Sequence, residues 1–273
     1  MVRDVTLGQF VPGKSVLHRM DPRAKIVLLL AFIVMLFVSN NFLSLGIMTA
    51  AVLIAIGCSG VSLRLYVKSL RMILFVVLFT AVLNLFYGRG EPLVTLFGFM
   101  QITANGIKNS VFVAVRITEL ILISSVLTFT TSPTDLTDAL ERLMKPLKVF
   151  HIKVHEIAMM MTIALRFVPT LLEETDKIMS AQKARGADLE SGGLMQRVKA
   201  LIPILIPLFV SSFRRAYDLA MAMECRCYHG GEGRTRMKSL HLGTLDVSVI
   251  VFTAAFSLAA IACNIWLPLG AAL

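Results

Sequence analysis

From Ile26 to Leu63 the chain runs for 38 residues without a charged side chain, interrupted midway by Ser39-Asn40-Asn41. Short polar side chains of that kind favour turns over helix interiors, so the run predicts two apolar helices joined by a turn. Met72 to Gly88 adds 17 uncharged residues, and Asp246 is followed by 27 more to Leu273. About 20 residues of helix cross a ~30 Å hydrocarbon core, so each run reaches or approaches the length of a membrane span. Ile107 to Phe129 is apolar apart from Lys108, Arg116 and Glu119. Arg116 and Glu119 are spaced to share a helix face, where they are expected to neutralise one another inside a bundle. Five spans follow from this pattern. Pro92 to Gly106, containing Gly98 and Asn105, reads as a broken or re-entrant connection.

Residues 133–245 break the pattern. They hold 16 of the 27 basic residues, yet contain two apolar runs, Ile157 to Leu172 and Ala200 to Phe213, interrupted by Arg166, Pro169, Pro203 and Pro207. As spans both are short, and they would export Lys177, Lys183, Arg185, Arg197 and Lys199, against the excess of basic residues in cytoplasmic loops. A 3.6-residue period instead aligns Val154, Ile157, Met161, Leu165, Val168, Leu172 and Met179 on one stripe. The same period aligns Val198, Leu201, Leu205, Leu208, Ser212, Ala216, Leu219 and Met223. Two long amphipathic helices are expected, over 151–184 and 194–228, kinked at their prolines. A shorter helix, Asp135 to Met144, starts after Ser132-Pro133-Thr134 and stops before Pro146. The predicted fold is an all-α integral membrane protein with about five transmembrane helices plus a cytoplasmic domain of one short and two long amphipathic helices. Its parts are 1–132, 133–245 and a last transmembrane helix in 246–273.

Only 16% of the 273 residues are charged and 56% are hydrophobic, with a mean hydropathy of +0.78. Soluble domains are about 25% charged, so disorder, collagen-like repeats and small disulfide scaffolds are excluded. The net charge of +10 is assigned to the bilayer rather than to nucleic acid. Arg3, Lys14, Arg19, Arg23 and Lys25 precede the first span, and Arg64, Lys68 and Arg71 lie between the second and third. The third-to-fourth connection has only Arg89 and Lys108. This asymmetry puts the N-terminus in the cytoplasm and Leu273 outside. No small-residue cleavage motif flanks the first apolar run, so that helix is expected to be retained.

Candidate chemistry is sparse. Cys58 and Cys263 fall in apolar runs, and Cys225-x-Cys227-x-His229 lacks the second ligand pair of a usual metal site; reduced structural thiols are expected. His151 and His155 stand one turn apart near Glu156 and read as a solvated helix face. Gly8-Gln9-Phe10-Val11-Pro12-Gly13-Lys14-Ser15 matches a P-loop letter for letter. That motif needs a preceding strand and a helix opening on Lys-Ser so that N–H groups converge on phosphates. Seven residues precede Gly8 and Pro22 follows closely, so the match is read as a decoy and the chain as a non-enzyme. Met159-Met160-Met161 can be core filler or an adaptable partner surface. Both long helices end alike, in Ala184-Arg185-Gly186 and Cys225-Arg226-Cys227. An arginine there complements the helix dipole, and a guanidinium at the tip of a lever also offers five donors to a partner.

Three signatures resemble one family over nearly the whole chain: Val11-Pro12-Gly13-Lys14-Ser15 with Met20-Asp21-Pro22-Arg23-x-Lys25; Leu165-Arg166-Phe167-Val168-Pro169 leading to Gln182-Lys183-Ala184-Arg185-Gly186-Ala187-Asp188; and Phe213-Arg214-Arg215-Ala216 leading to Glu224-Cys225-Arg226-Cys227-Tyr228. The chain is similar to the transmembrane (T) component of energy-coupling factor transporters, ABC-type importers of vitamins and transition-metal ions. The resemblance implies two ABC ATPase subunits, which bind ATP and Mg, and one membrane-embedded substrate-binding subunit, with no cofactor in this chain. It implies a prokaryotic plasma membrane location. It makes Ala184, Arg185, Gly186, Cys225, Arg226 and Cys227 the ATPase-coupling residues, with each arginine inserted into one ATPase. Cysteines around Arg226 depart from the family's usual Ala-Arg-Gly and put a cap role for residue 227 in doubt. Met159, Met160, Met161, Leu201 and Leu205 are the expected contacts to the substrate-binding subunit. The alternative is a self-contained secondary transporter or channel lined by Arg116 and Glu119.

Overall fold

A computed structural model describes residues 10–86, 92–96, 100–187, 193–231 and 243–266. Gly8, Gln9, Arg89, Gly98, Asp188 and Leu273, which carry parts of the readings above, lie outside them. The elements are α1 (Val16–Arg19), α2 (Pro22–Val38), α3 (Phe42–Ser59), α4 (Leu63–Phe86), strands β1 (Pro92–Leu96) and β2 (Met100–Thr103), α5 (Ala104–Thr130), α6 (Pro133–Leu143), a 3-10 helix (Lys145–Phe150), α7 (Val154–Ala184), α8 (Leu194–Cys225) and α9 (Thr244–Trp266). The protein is an all-α membrane protein. Among the described residues, six helices (α3, α4, α5, α7, α8 and α9) are long and apolar enough to cross a bilayer. The 17 residues of α2 are slightly shorter. Although α7 and α8 meet the same length and composition test, they carry mid-helix charges, Glu173 to Lys177 and Arg214, Arg215 and Asp218, that α3 lacks altogether.

The chain forms two compact units, residues 8–136 with 238–273, and residues 137–237. In the first, α2 and α3 each pack on both α5 and α9, and α4 pairs with α5. Phe32, Leu36, Met48, Val52, Val126 and Phe129 form the buried centre. The turn between α2 and α3 falls at Ser39–Asn41, as the polar triplet predicts. Instead of a re-entrant segment, β1 and β2 form an antiparallel hairpin, pairing Val94 with Ile102 and Leu96 with Met100. Thr103 then caps α5 by accepting from the Gly106 N–H at 3.0 Å.

Helix ends in this unit are tied by charged side chains. The Lys25 ammonium donates to the Thr130 carbonyl and the Thr131 hydroxyl, both at 3.0 Å, placing a cation where α5 ends in unpaired carbonyls. The Asp246 carboxylate, in the first turn of α9, accepts from the N–H groups of Asp21 (2.8 Å) and Gly243 (2.7 Å). Asp21 in turn caps α2 through the Arg23 N–H and pairs with the Arg23 guanidinium at 2.6 Å. At the opposite ends of α2 and α9, Asn264 donates to the Val38 carbonyl at 3.1 Å.

In the second unit, α7 starts at Val154 rather than His151, because His151 takes a left-handed conformation (φ 60°) after the 3-10 helix. Helix α8 stops at Cys225, short of Tyr228. Both helices are continuous through Pro169, Pro203 and Pro207.

Candidate functional site

Helices α7 and α8 form an antiparallel pair held by two polar ties. Glu174 accepts from Arg215 at 2.6 Å and from the Ser211 hydroxyl. Nearer the end of α7, the Gln182 amide donates to the Pro203 carbonyl at 3.2 Å. The helical partner of that carbonyl would be the N–H of residue 207, which is proline and has none. Gln182 therefore fills an acceptor that Pro207 orphans. The proline pattern announces the orphan, but the donor could be found only in three dimensions.

The two helix ends are copies of one geometry. Arg185 and Arg226 occupy the C-cap positions, at φ −85°, ψ 7° and φ −94°, ψ 14°. The next residue is left-handed in each, Gly186 at φ 83° and Cys227 at φ 56°. Backbone bonds then close a Schellman motif. Gly186 N–H donates to the Lys183 carbonyl and Ala187 N–H to Gln182, both at 3.0 Å; Cys227 N–H donates to Glu224 at 2.8 Å and Tyr228 N–H to Met223 at 3.0 Å. The reservation about residue 227 is thus corrected: Cys227 takes the cap conformation that Gly186 takes, although L-residues disfavour it. Ala184, Arg185, Gly186, Cys225, Arg226 and Cys227 are all exposed. Among the described residues neither guanidinium has a hydrogen bond or ion pair. Because the pair is antiparallel, the arginines lie at opposite ends of it, on the order of 30 Å apart at ~1.5 Å rise per residue.

Apolar side chains are left uncovered along the same helices. Met160 is 59% exposed, Met161 39%, Leu201 47% and Leu205 57%, while Met159 is partly buried. Ile202, Ile206, Phe209 and Phe213 continue the α8 surface. In the two helices together, the described buried residues are Val154, Ala158 and Ile204.

The remaining candidates are absorbed by structure. Arg116 and Glu119 do not pair. Arg116 donates to the Ser39 carbonyl, ending α2, and lies over the Phe37 and Phe112 rings. Glu119, 2% exposed, accepts from the Thr49 hydroxyl on α3. Spacing allowed them to meet, but helices on other sides supplied better-placed partners. In the P-loop segment, the described part is a clasp. Ser15 bonds His18 Nδ1 at 2.7 Å, and Nε2 lies 2.8 Å from the Val11 carbonyl. A carbonyl only accepts, so Nε2 carries the proton and Nδ1 accepts from Ser15. The following helix has four residues, too short to present a phosphate cradle. His155 is not a solvated face residue: its Nδ1 meets Glu141 of α6 at 3.0 Å, and its ring packs where a Gly231 side chain would stand.

Several apolar helices long enough to cross a bilayer, joined to a helix pair whose charged tips and apolar sides are uncovered, define a multi-pass membrane protein with the features of a subunit. The sequence profile of the CbiQ family, described as cobalt transport protein, matches residues 13–237. An energy-coupling factor transporter transmembrane protein EcfT of Ruminiclostridium cellulolyticum is 49% identical over 256 residues, 94% of this chain and 96% of that protein. The protein of the same name from Clostridium kluyveri is 49% identical over 267 residues, 97% and 99% of the two chains. That of Brevibacillus brevis is 50% identical over 251 residues, 92% and 95%. The chain belongs to this EcfT/CbiQ family of transporter transmembrane components.

Proposed function

We propose that the chain is the scaffold and coupling subunit of an energy-coupling factor importer for a vitamin or a transition-metal ion. Two ABC ATPase subunits bind and hydrolyse ATP with Mg, and each receives one of the tips Arg185 and Arg226. A membrane-embedded substrate-binding subunit rests on the apolar faces that include Met159, Met160, Met161, Leu201 and Leu205. The N-terminus is cytoplasmic and the C-terminus extracytoplasmic in a prokaryotic plasma membrane. Residues 133–245 form the cytoplasmic coupling domain between the transmembrane parts 1–132 and 246–273. Closure of the ATPase dimer moves the docked tips, tilts α7 and α8 and reorients the bound subunit.

The observation that carries this reading is the duplicated helix end: two exposed arginines, unbonded among the described residues, in one cap geometry at opposite ends of one helix pair. An arginine needed only for its own helix dipole has no reason to be displayed twice in this way. Arg185→Glu combined with Arg226→Glu is expected to abolish ATPase co-purification and substrate uptake while leaving the chain in the membrane. Uptake at the native rate in the double variant defeats the reading.

A further inference from the structure

The two helix ends share a backbone but differ in chemistry. Around Arg185 stand Ala184 and Gly186; around Arg226 stand Cys225 and Cys227, both free thiols and both exposed. The backbone angles of Arg226 (φ −94°, ψ 14°) hold the Cα atoms of its neighbours roughly 5.5 Å apart, inside the ~4.4–6.8 Å window of a disulfide. Cys225 is the last residue of α8 and Cys227 is left-handed at φ 56°, whereas a disulfide requires a Cβ separation of about 3.8 Å and one narrow dihedral range. In the reduced cap the Cys227 N–H donates to Glu224 and the Tyr228 N–H to Met223, and a disulfide spanning one residue constrains the same stretch of backbone that these bonds hold. Those two bonds close the cap around Arg226. Cys58 and Cys263 lie in α3 and α9, far along the sequence from either tip.

We propose that Cys225 and Cys227 form a thiol switch on the α8 tip, whose oxidation to a disulfide by a low-molecular-weight disulfide unwinds the cap and withdraws Arg226 from docking. The inference rests on the coupling role proposed for Arg226. The chemistry is two exchanges. The Cys225 thiolate attacks one sulfur of RSSR, forming Cys225–S–S–R and releasing one RS⁻. The Cys227 thiolate then attacks the Cys225 sulfur and releases the second RS⁻. The protein dithiol loses two protons and two electrons, and one small disulfide is reduced to two thiols. The exchange acts on the undocked tip, where the thiols are open to solvent. The α7 tip has no thiol, so oxidation disables one of the two attachments selectively.

The test treats the full-length chain in detergent with 4,4′-dithiodipyridine, removes the reagent, adds the two ATPase subunits and measures their retention on the tagged chain. The expected result for the native sequence is a peptide two hydrogens lighter across residues 225–227, retention at least tenfold lower, and recovery after dithiothreitol. Cys225→Ser combined with Cys227→Ser retains the same amount of ATPase before and after treatment; Cys225→Ser with Cys227→Gly, the residue α7 uses, is the second variant should serine disturb the left-handed position. The proposal is overturned if no 225–227 disulfide forms, if the oxidised chain holds its ATPases undiminished, or if the double variants lose ATPase to the same extent. Arg226→Glu separates the two readings. If that variant keeps its ATPases, the coupling role itself fails; if it loses them while the oxidised native chain does not, only the switch fails.

Discussion

The helix bundle and the α7–α8 pair solve opposite problems with the same residue types. In the bundle, Lys25, Asp21 and Asp246 are buried and each is spent on a helix end or a charged neighbour. In the pair, 31- and 32-residue helices bury little, hold together through two polar ties, and leave both arginine caps and a long apolar surface open. Buried charges tied to helix ends mark a part organised by its own folding, whereas exposed tips beside an uncovered apolar surface mark a part finished by assembly.

The largest effect is expected in the bundle. Asp246→Ala strands the buried N–H of Asp21 and the part-buried N–H of Gly243 and removes a charge beside Arg23, a loss of about 3 kcal/mol. Thermal melting in detergent should fall by about 6–12 °C for a chain of this size; a fall under 2 °C would show that the bundle's polar ties are dispensable. Next, Met160→Asp with Leu205→Asp should leave melting almost unchanged, because exposed positions shift stability by only about 0.5 kcal/mol. The same pair should weaken capture of the substrate-binding subunit at least tenfold, about 1.4 kcal/mol, and intact capture would mean that this surface faces something else. Gln182→Leu leaves the Pro203 carbonyl without its donor and should cost about 1 kcal/mol, read as a small melting shift together with faster hydrogen exchange near the end of α7. The smallest change is a gain: Cys227→Gly relieves the left-handed cap and should stabilise the chain by about 0.5 kcal/mol.

Much of this contrast is written in the sequence. Uncharged runs gave the helices of the bundle, Ser39-Asn40-Asn41 gave their turn, and Gly186 marked the end of α7 because glycine is the natural occupant of a left-handed cap. Cys227 hid the matching cap on α8, since a cysteine does not advertise that conformation. Arg116 and Glu119 show a second limit. Their spacing says which side chains can meet along one helix, but Ser39 and Thr49, far away in sequence, compete for them and win. The strands at 92–103 were missed because a short apolar run next to glycines and a proline carries no period long enough to separate hairpin from broken helix. Gln182 was visible in its signature, yet its role depends on a carbonyl exposed by a proline on another helix.

The antiparallel course of α7 and α8 has a mechanical consequence. In the proposed coupling role, loads at Arg185 and Arg226 would act on arms that extend in opposite directions from the tie at Glu174–Arg215. Opposed pulls on those arms add as torque about the crossing, while their translational components cancel. Such a pair rotates about the Glu174–Arg215 tie under symmetric loading instead of sliding, with the Gln182–Pro203 tie set out beside the Arg185 tip.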